Sequence, residues 1–187
     1  MTLTALVPLA PGCEEMEAVI IIDVLRRAGF NVTAAGLQPG PVIASRHVRL
    51  LPDTTWDHLD PSTYHWIILP GGNDGTQALL DDPRIIPALQ QHHRAGKPLA
   101  AVCAAPLVLA AAGILTNDTF TCHPAARDRL GALRPSDQRV VVHHHLITSQ
   151  GPGTTFEFAL AIVAHALGQP AAHALAHAML YPLVNLE

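Results

Sequence analysis

The stretch that decides the fold runs from Pro98 to Gly113 and reads PLAAVCAAPLVLAAAG. Leu99 to Val102 has the length and apolar character of a short buried strand. A turn follows at Cys103, and Pro106 suits the first turn of a helix that closes at Gly113. Twenty consecutive residues from Pro98 carry no formal charge, which is the length of a membrane span, but prolines, a glycine and many alanines interrupt them. We therefore interpret this stretch as a strand, a turn and a helix of a soluble protein.

Strand and helix signals alternate in the same way along the whole chain. The predicted strands are Leu3 to Leu9, Asn31 to Ala35, Trp66 to Leu69, Leu99 to Val102, a short extended piece from Phe120 to His123, Val140 to Val142, and Leu146 to Ser149. The predicted helices are Glu15 to Ala28, Pro83 to Ala95, Pro106 to Ala112, a turn that starts at Pro124, Thr154 to Leu167, and Pro170 to Leu180. Strands that alternate with helical crossovers form a mostly parallel sheet covered on both faces. We expect a doubly wound α/β fold in one domain spanning residues 1–187.

Composition narrows the classes of function. Hydrophobic residues make up 49% of the 187 residues, aromatic residues 4%, and the net charge is −4. This composition excludes disorder and argues against nucleic-acid binding. Cys13, Cys103 and Cys122 are too few for a disulfide framework, and no signal peptide opens the chain. We expect a protein of the reducing cytoplasm.

Cys103 is the first candidate for chemistry. It lies between a strand and a helix, where a strained turn would present its sulfur and the positive end of the helix would favour the thiolate. A buried structural cysteine is an equally good interpretation of the position alone.

Glu17 is the second candidate, in the opening turn of a very apolar helix. Compensation of the helix dipole by Glu14, Glu15 and Glu17 explains any one of these acidic residues. A carboxyl desolvated against the helix could instead stay protonated and donate to a cysteine sulfur.

Glycine-rich loops and histidines give weaker signals. Gly71 and Gly72, after a buried strand, could turn backbone N–H groups toward a ligand, although such glycines are common in plain turns. The segment from Gly151 to Thr154 has the same ambiguity and lacks the spacing of a nucleotide-binding loop. Neighbouring residues of a strand point to opposite faces, so His143 to His145 would not ligate one metal together, and we predict no metal site. By spacing alone, His123 is an ordinary loop residue.

A set of short motifs occurs in order along nearly the entire chain. They are Ala5-Leu6-Val7, Glu14-Glu15-Met16-Glu17, Asp23 to Gly29, Ser45-Arg46, Leu69 to Asn73, Val102 to Pro106, His123-Pro124, Thr148 to Thr154, and Phe156 to Val163. With these motifs the chain resembles the ThiJ/PfpI superfamily, and most closely its Parkinsonism-associated deglycase branch with the bacterial YajL-type proteins.

The resemblance implies a flavodoxin-like fold, a homodimer and a site without cofactors. Cys103 would be the nucleophile, Glu17 its acid/base partner, and His123 a neighbour. Gly72 and Ala104 would supply backbone donors. The pocket would include Gly71, Asn73, Arg46 and Pro152.

Some positions differ from the pattern of the family. Animal members often carry two further cysteines where this chain has Ala44 and Leu51, so a redox role would rest mainly on Cys103. Ala105 replaces a glycine of the deglycase branch and agrees with the bacterial type.

Three functions follow from the resemblance. The leading one is a glutathione-independent thiol enzyme for 2-oxoaldehydes such as methylglyoxal, or for early glycation adducts. The second is a redox sensor or chaperone that works through oxidation of Cys103. A cysteine peptidase is third, because a small domain with a tight apolar turn offers no groove for a polypeptide.

Overall fold

The computed structural model describes residues 2–182, which build an α/β fold around one large sheet. The strands are β1 (Thr4–Leu9), β2 (Asn31–Gly36), β3 (Val42–Ile43), β4 (Arg49–Leu50), β5 (Thr54–Thr55), β6 (Trp66–Leu69), β7 (Leu99–Val102), β8 (Val140–His143) and β9 (Leu146–Ser149). The α-helices are α1 (Glu15–Arg27), α2 (Asn73–Asp81), α3 (Ile85–Arg94), α4 (Pro106–Ala111), α5 (Thr155–Leu167) and α6 (Gln169–Ala178).

The large sheet has seven strands in the order β5-β2-β1-β6-β7-β9-β8. All neighbours are parallel except β8, which pairs antiparallel with β9, while β3 and β4 form a separate hairpin. The long parallel strands, numbered along the chain, have the order 2-1-3-4-5 of flavodoxin-like folds. The doubly wound, flavodoxin-like fold that the sequence predicted is confirmed.

Helices cover both faces of this sheet, so its central strands are apolar on both sides. Helices α1, α5 and α6 pack together on one face, and α2, α3 and α4 pack on the other. Residues of β6 and β7 are all buried, as expected for strands covered twice. The loops after β1, β6 and β7 leave the same edge of neighbouring strands and therefore meet there.

The predicted strands and α-helices agree with the structure to within two residues at each end, apart from three differences. Helix α2, which begins one residue after Gly72, was not predicted. The extended piece from Phe120 to His123 is not a strand of either sheet, although a 3₁₀ helix does start at Pro124. The short strands β3, β4 and β5 were not predicted. Among helices built by residues 2–182, none combines the length and apolar character needed to cross a bilayer.

Candidate active site

Cys103 stands directly after β7 in a backbone conformation that a residue with a side chain rarely adopts. Its φ is 65°, in the left-handed region, which costs a non-glycine residue about 1 kcal/mol. Hydrogen bonds on both sides hold it there: its N–H donates to the carbonyl of Ser149 over 2.9 Å, and its carbonyl accepts the N–H of His123 over 2.8 Å. The side chain is half-buried at the edge where the three loops meet.

Glu17 is fully buried beside Cys103. Its Oε2 accepts the backbone N–H of Gly71 over 2.7 Å, while its Oε1 receives no N–H or O–H from residues 2–182. Burial raises the pKa of Glu17 from 4.5 to about 7, although the Gly71 N–H and an interaction with the Cys103 thiol act in the opposite direction. Because Oε2 is already an acceptor, the proton of the neutral acid belongs on Oε1.

Cys103 is harder to ionise than the sequence suggested. Burial raises the pKa of its thiol to about 12, with the negative charge of Glu17 as the second cause. Hydrogen bonds from the N–H groups of Gly72 and Ala104 lower this pKa but do not outweigh burial. These N–H groups act in the direction expected for the start of a helix, but burial and the charge of Glu17 oppose them. Protonation of Glu17 removes the second cause, so the ionisation of each group depends on the other.

Gly71 and Gly72 allow the loops after β1, β6 and β7 to touch. A Cβ at Gly71 would stand 2.7 Å from Cys103 Cβ and 2.8 Å from the carbonyl oxygen of Val102. Gly72 has φ 87°, and a Cβ there would stand 2.4 Å from the carbonyl oxygen of Gly12. Neither position has space for a side chain, so these glycines set the distance between Glu17 and Cys103.

The acidic residues at the start of α1 make different contacts and therefore have different structural roles. Compensation of the helix dipole, which would apply equally to all of them, did not predict these roles. Glu14 caps the helix, since its Oε2 accepts the N–H of Glu17 over 2.7 Å. Glu15 holds the turn between β3 and β4, accepting the Ser45 hydroxyl over 2.7 Å and the Arg46 N–H over 2.8 Å. These hydrogen bonds lower the pKa of Glu15. Sequence reasoning missed Glu15 as a positioning residue, and the Ser45-Arg46 motif was the available signal.

The other predicted site residues lie at different depths. His123 is half-buried, its backbone is bound to Cys103, and a Cβ at Gly151 would stand 3.2 Å from its ring. Its Nδ1 accepts the N–H of Ala125 over 3.2 Å, which places the proton of the neutral ring on Nε2. Asn73 is the exposed first residue of α2, and Pro152 is half-buried in a 3₁₀ turn.

Among the described residues, no hydrogen bond or ion pair links Arg46 to Cys103. Its side chain is exposed, and its guanidinium donates to the carbonyl of Ser45 over 3.2 Å.

Several other features are separate from this cluster. Cys13 and Cys122 are buried, free thiols, and burial raises the pKa of each. Within residues 2–182 no group of three or more His, Cys, Asp or Glu side chains is arranged to hold a metal ion. A cavity of about 470 Å³ lies between β8, α5 and α6, and Cys103 and Glu17 do not line it.

Comparisons with known proteins agree with the geometry. A model of the DJ-1/PfpI family matches residues 3–165. Protein dj-1beta of Drosophila melanogaster is 40% identical over 183 residues, covering 96% of this chain and 98% of the relative. A Caenorhabditis elegans protein named glutathione-independent glyoxalase DJR-1.2 is 39% identical over 163 residues, covering 86% of this chain and 87% of the relative.

A solved structure extends this agreement to the fold. The crystal structure of Drosophila melanogaster DJ-1beta superimposes with a TM-score of 0.92 at 39% identity, covering 97% of this chain and all of the other. The family match and the relatives each extend over most of the sequence, and together they show that the chain belongs to the DJ-1/PfpI family.

Proposed function

We propose that this protein is a cysteine-dependent, glutathione-independent enzyme that converts 2-oxoaldehydes to 2-hydroxy acids, with early glycation adducts as related substrates. The observation that carries the proposal is a buried carboxyl, Glu17, with a pKa of about 7 against the strained Cys103. A general acid/base works best when its pKa lies near the working pH. The name of the C. elegans relative supports the same class of reaction.

The reaction needs no oxidant or reductant. Ionised Glu17 accepts the thiol proton as Cys103 adds to the aldehyde carbon, and it returns this proton to the new alkoxide, giving a hemithioacetal. Glu17 then removes the proton from that carbon and delivers it to the neighbouring carbonyl carbon. The hydroxyl proton of the hemithioacetal passes to the oxygen of that neighbouring carbon, which gives a thioester of the 2-hydroxy acid. Water hydrolyses the thioester and restores the thiol. The sum is one 2-oxoaldehyde and one water converted to one 2-hydroxy acid.

The surrounding groups suit this sequence of steps. The N–H groups of Gly72 and Ala104 donate to the Cys103 sulfur and would stabilise it as it becomes negative. We assign His123 to the site as a donor through Nε2 to a substrate oxygen. The wall of the proposed pocket is completed by Gly71, Asn73, Arg46 and Pro152. Arg46 would contribute from the turn between β3 and β4, which Glu15 holds.

Steady-state conversion of methylglyoxal to lactate without added thiol tests the proposal. Wild type should turn over, and Cys103→Ser should lose activity, because a hydroxyl is a much weaker nucleophile. Cys122→Ser is the matched control and should retain activity, since that buried thiol has no recorded contact with Glu17. Equal activity of Cys103→Ser and wild type would contradict the proposal.

A redox sensor or chaperone is the alternative, favoured by the two N–H groups that converge on the sulfur. They would also hold the oxygens of a sulfinate formed on Cys103 by peroxide. Glu17→Gln separates the two functions, because it keeps the shape and a donor but cannot exchange a proton. We expect it to lose turnover by about a hundredfold or more and to remain oxidisable at Cys103. Sulfinate formation in a wild type without turnover on any 2-oxoaldehyde would favour the sensor. A peptidase stays third.

We also propose a homodimer in the reducing cytoplasm, without nucleic-acid or membrane partners. Exposed apolar side chains gather on α1 and the hairpin of β3 and β4. They include Met16, Val19, Ile43, Val48 and Leu51, the last 80% exposed. An apolar surface of this kind is typical of a contact between protein chains.

A further inference from the structure

A histidine-rich cleft lies at the end of the sheet opposite Cys103. Its volume is about 280 Å³, and its walls include His93 at the end of α3 and the turn from His143 to His145 between β8 and β9. The apolar part of its lining is formed by Leu99, Ile114 and Leu146. Cys103 follows the carboxyl end of β7, whereas Leu99 is its first residue, so the two sites are about 13 Å apart along the strand.

The four histidines of this cleft are free to bind a ligand. They are exposed, and their ring nitrogens make no hydrogen bond to other described residues. Lys97 also lines the cleft, and its ammonium donates to the carbonyls of Ser62 and Tyr64, which uses two of its three N–H groups.

The two threonines of the lining are occupied with each other. The hydroxyl of Thr119 donates to the carbonyl of Thr116, and the two hydroxyls lie 2.9 Å apart. The side-chain donors left for a new ligand are therefore those of the imidazoles and the remaining N–H of Lys97.

The ionisable side chains that line the cleft are all basic. Its described lining contains no Asp or Glu, and Asp118 is the carboxylate of the neighbouring turn. From α5, His165 packs edge-on to His145 with ring centroids 6.2 Å apart. Lys97 and the imidazoles therefore present basic groups to the cleft, with no carboxylate in its described lining to oppose an anion.

We propose that this cleft binds a small organic anion, a carboxylate or phosphate head group on a short apolar body. The Lys97 ammonium and the imidazole N–H groups would attract and hydrogen-bond the head group, and the aliphatic lining would contact the apolar body. The site does not depend on the activity proposed for Cys103.

Calorimetric titration tests this binding, with phenyl phosphate and phenylacetate as probes and benzyl alcohol as the uncharged control. We expect at least one anion to bind about tenfold more tightly than benzyl alcohol at pH 5.5, because only a charged head group forms charge-assisted hydrogen bonds with the basic lining. The stronger probe identifies the head group. Equal binding of benzyl alcohol, or no binding of either anion at pH 5.5, would overturn the proposal.

A double variant places the binding in the cleft. His143→Gln with His144→Asn removes two imidazoles, and asparagine tolerates the φ of 51° at position 144. We expect the affinity at pH 5.5 to fall about tenfold. His173→Gln with His177→Gln on α6 removes two exposed imidazoles elsewhere and should leave binding unchanged. Equal losses in both variants, or loss of binding on adding a metal chelator, would show that the cleft does not hold the anion directly.

Discussion

At Glu17 a single carboxyl links the site to the stability of the protein. Burial raises its pKa from 4.5 to about 7, so between these values the folded protein holds a proton that the unfolded chain releases. The free energy of unfolding therefore decreases as the pH rises through this window, by up to about 3 kcal/mol.

Glu17→Gln should remove this dependence on pH. The amide stays neutral, so we expect the variant to gain stability relative to wild type as the pH rises from 5 to 8. Urea unfolding of both proteins at the two pH values measures the change. Asp23→Asn, which removes an exposed carboxyl from the same helix, should show little of it. The contrary result is that the two proteins differ in free energy of unfolding by the same amount at both pH values. That result would contradict the burial of an ionisable acid at position 17.

Gly71→Ala should damage the site without unfolding the protein. The added methyl group would meet Cys103 Cβ and the carbonyl oxygen of Val102 below 3 Å, and these backbone-bound atoms can yield only if the loop shifts. We expect turnover of methylglyoxal and alkylation of Cys103 by iodoacetamide both to change, while circular dichroism stays that of the wild type. Gly153→Ala, where a Cβ meets nothing within 4 Å, is the matched control.

Among the elements, α5 is joined by an ion pair to Arg139, the residue before β8, and only the carboxylate of this pair is buried. Arg139 makes hydrogen bonds to both carboxylate oxygens of Glu157, whose side chain is 6% exposed. Arg139→Gln leaves that buried carboxylate without its cation, and we expect a loss of about 1–3 kcal/mol in the free energy of unfolding. Arg27→Gln breaks an exposed pair on α1 and should cost about 0.5 kcal/mol or less. Denaturant unfolding of both variants gives the comparison, and similar losses would contradict this account.

Elements with a clear apolar pattern could be predicted from the sequence, and α2 shows why others could not. Its first residues, Asn73-Asp74-Gly75, are typical of a turn. In the fold, a Cβ at Gly75 would stand 2.5 Å from the Cα of Cys13, so that glycine allows α2 to approach the loop after β1. This contact is between residues distant in sequence and leaves no local pattern. The strands β3, β4 and β5 have two residues each, too few to show alternation.

The site could be predicted as a set of residues but not as an electrostatic environment. The turn at Cys103 and the acidic start of α1 were visible, and the structure places them together. Glu14 caps the helix, Glu15 holds the hairpin and Glu17 lies beside the Cys103 sulfur. These roles depend on the direction of each side chain, which the sequence does not show. The raised pKa of Cys103 depends on how many atoms surround it, which no local motif encodes.

For the whole molecule, the proposed dimer is directly testable. Light scattering at micromolar concentration should give twice the chain mass of 19.9 kDa. Val19→Glu with Leu51→Glu places charges on the exposed apolar surface of α1 and the hairpin region, and we expect it to shift the mass toward the monomer. Leu167→Glu, an exposed apolar position at the end of α5, is the control and should remain dimeric. A wild-type mass of one chain would end the dimer proposal.

The left-handed backbone of Cys103 also has a consequence for protein engineering. Glycine adopts that conformation without a Cβ penalty, so a library selected only for heat resistance should accumulate glycine at position 103. Such clones would be more durable and chemically inert. Thermostable variants of this protein should therefore be selected for turnover at the same time as for heat resistance. Mutations should be directed to surface positions away from the turn at Cys103.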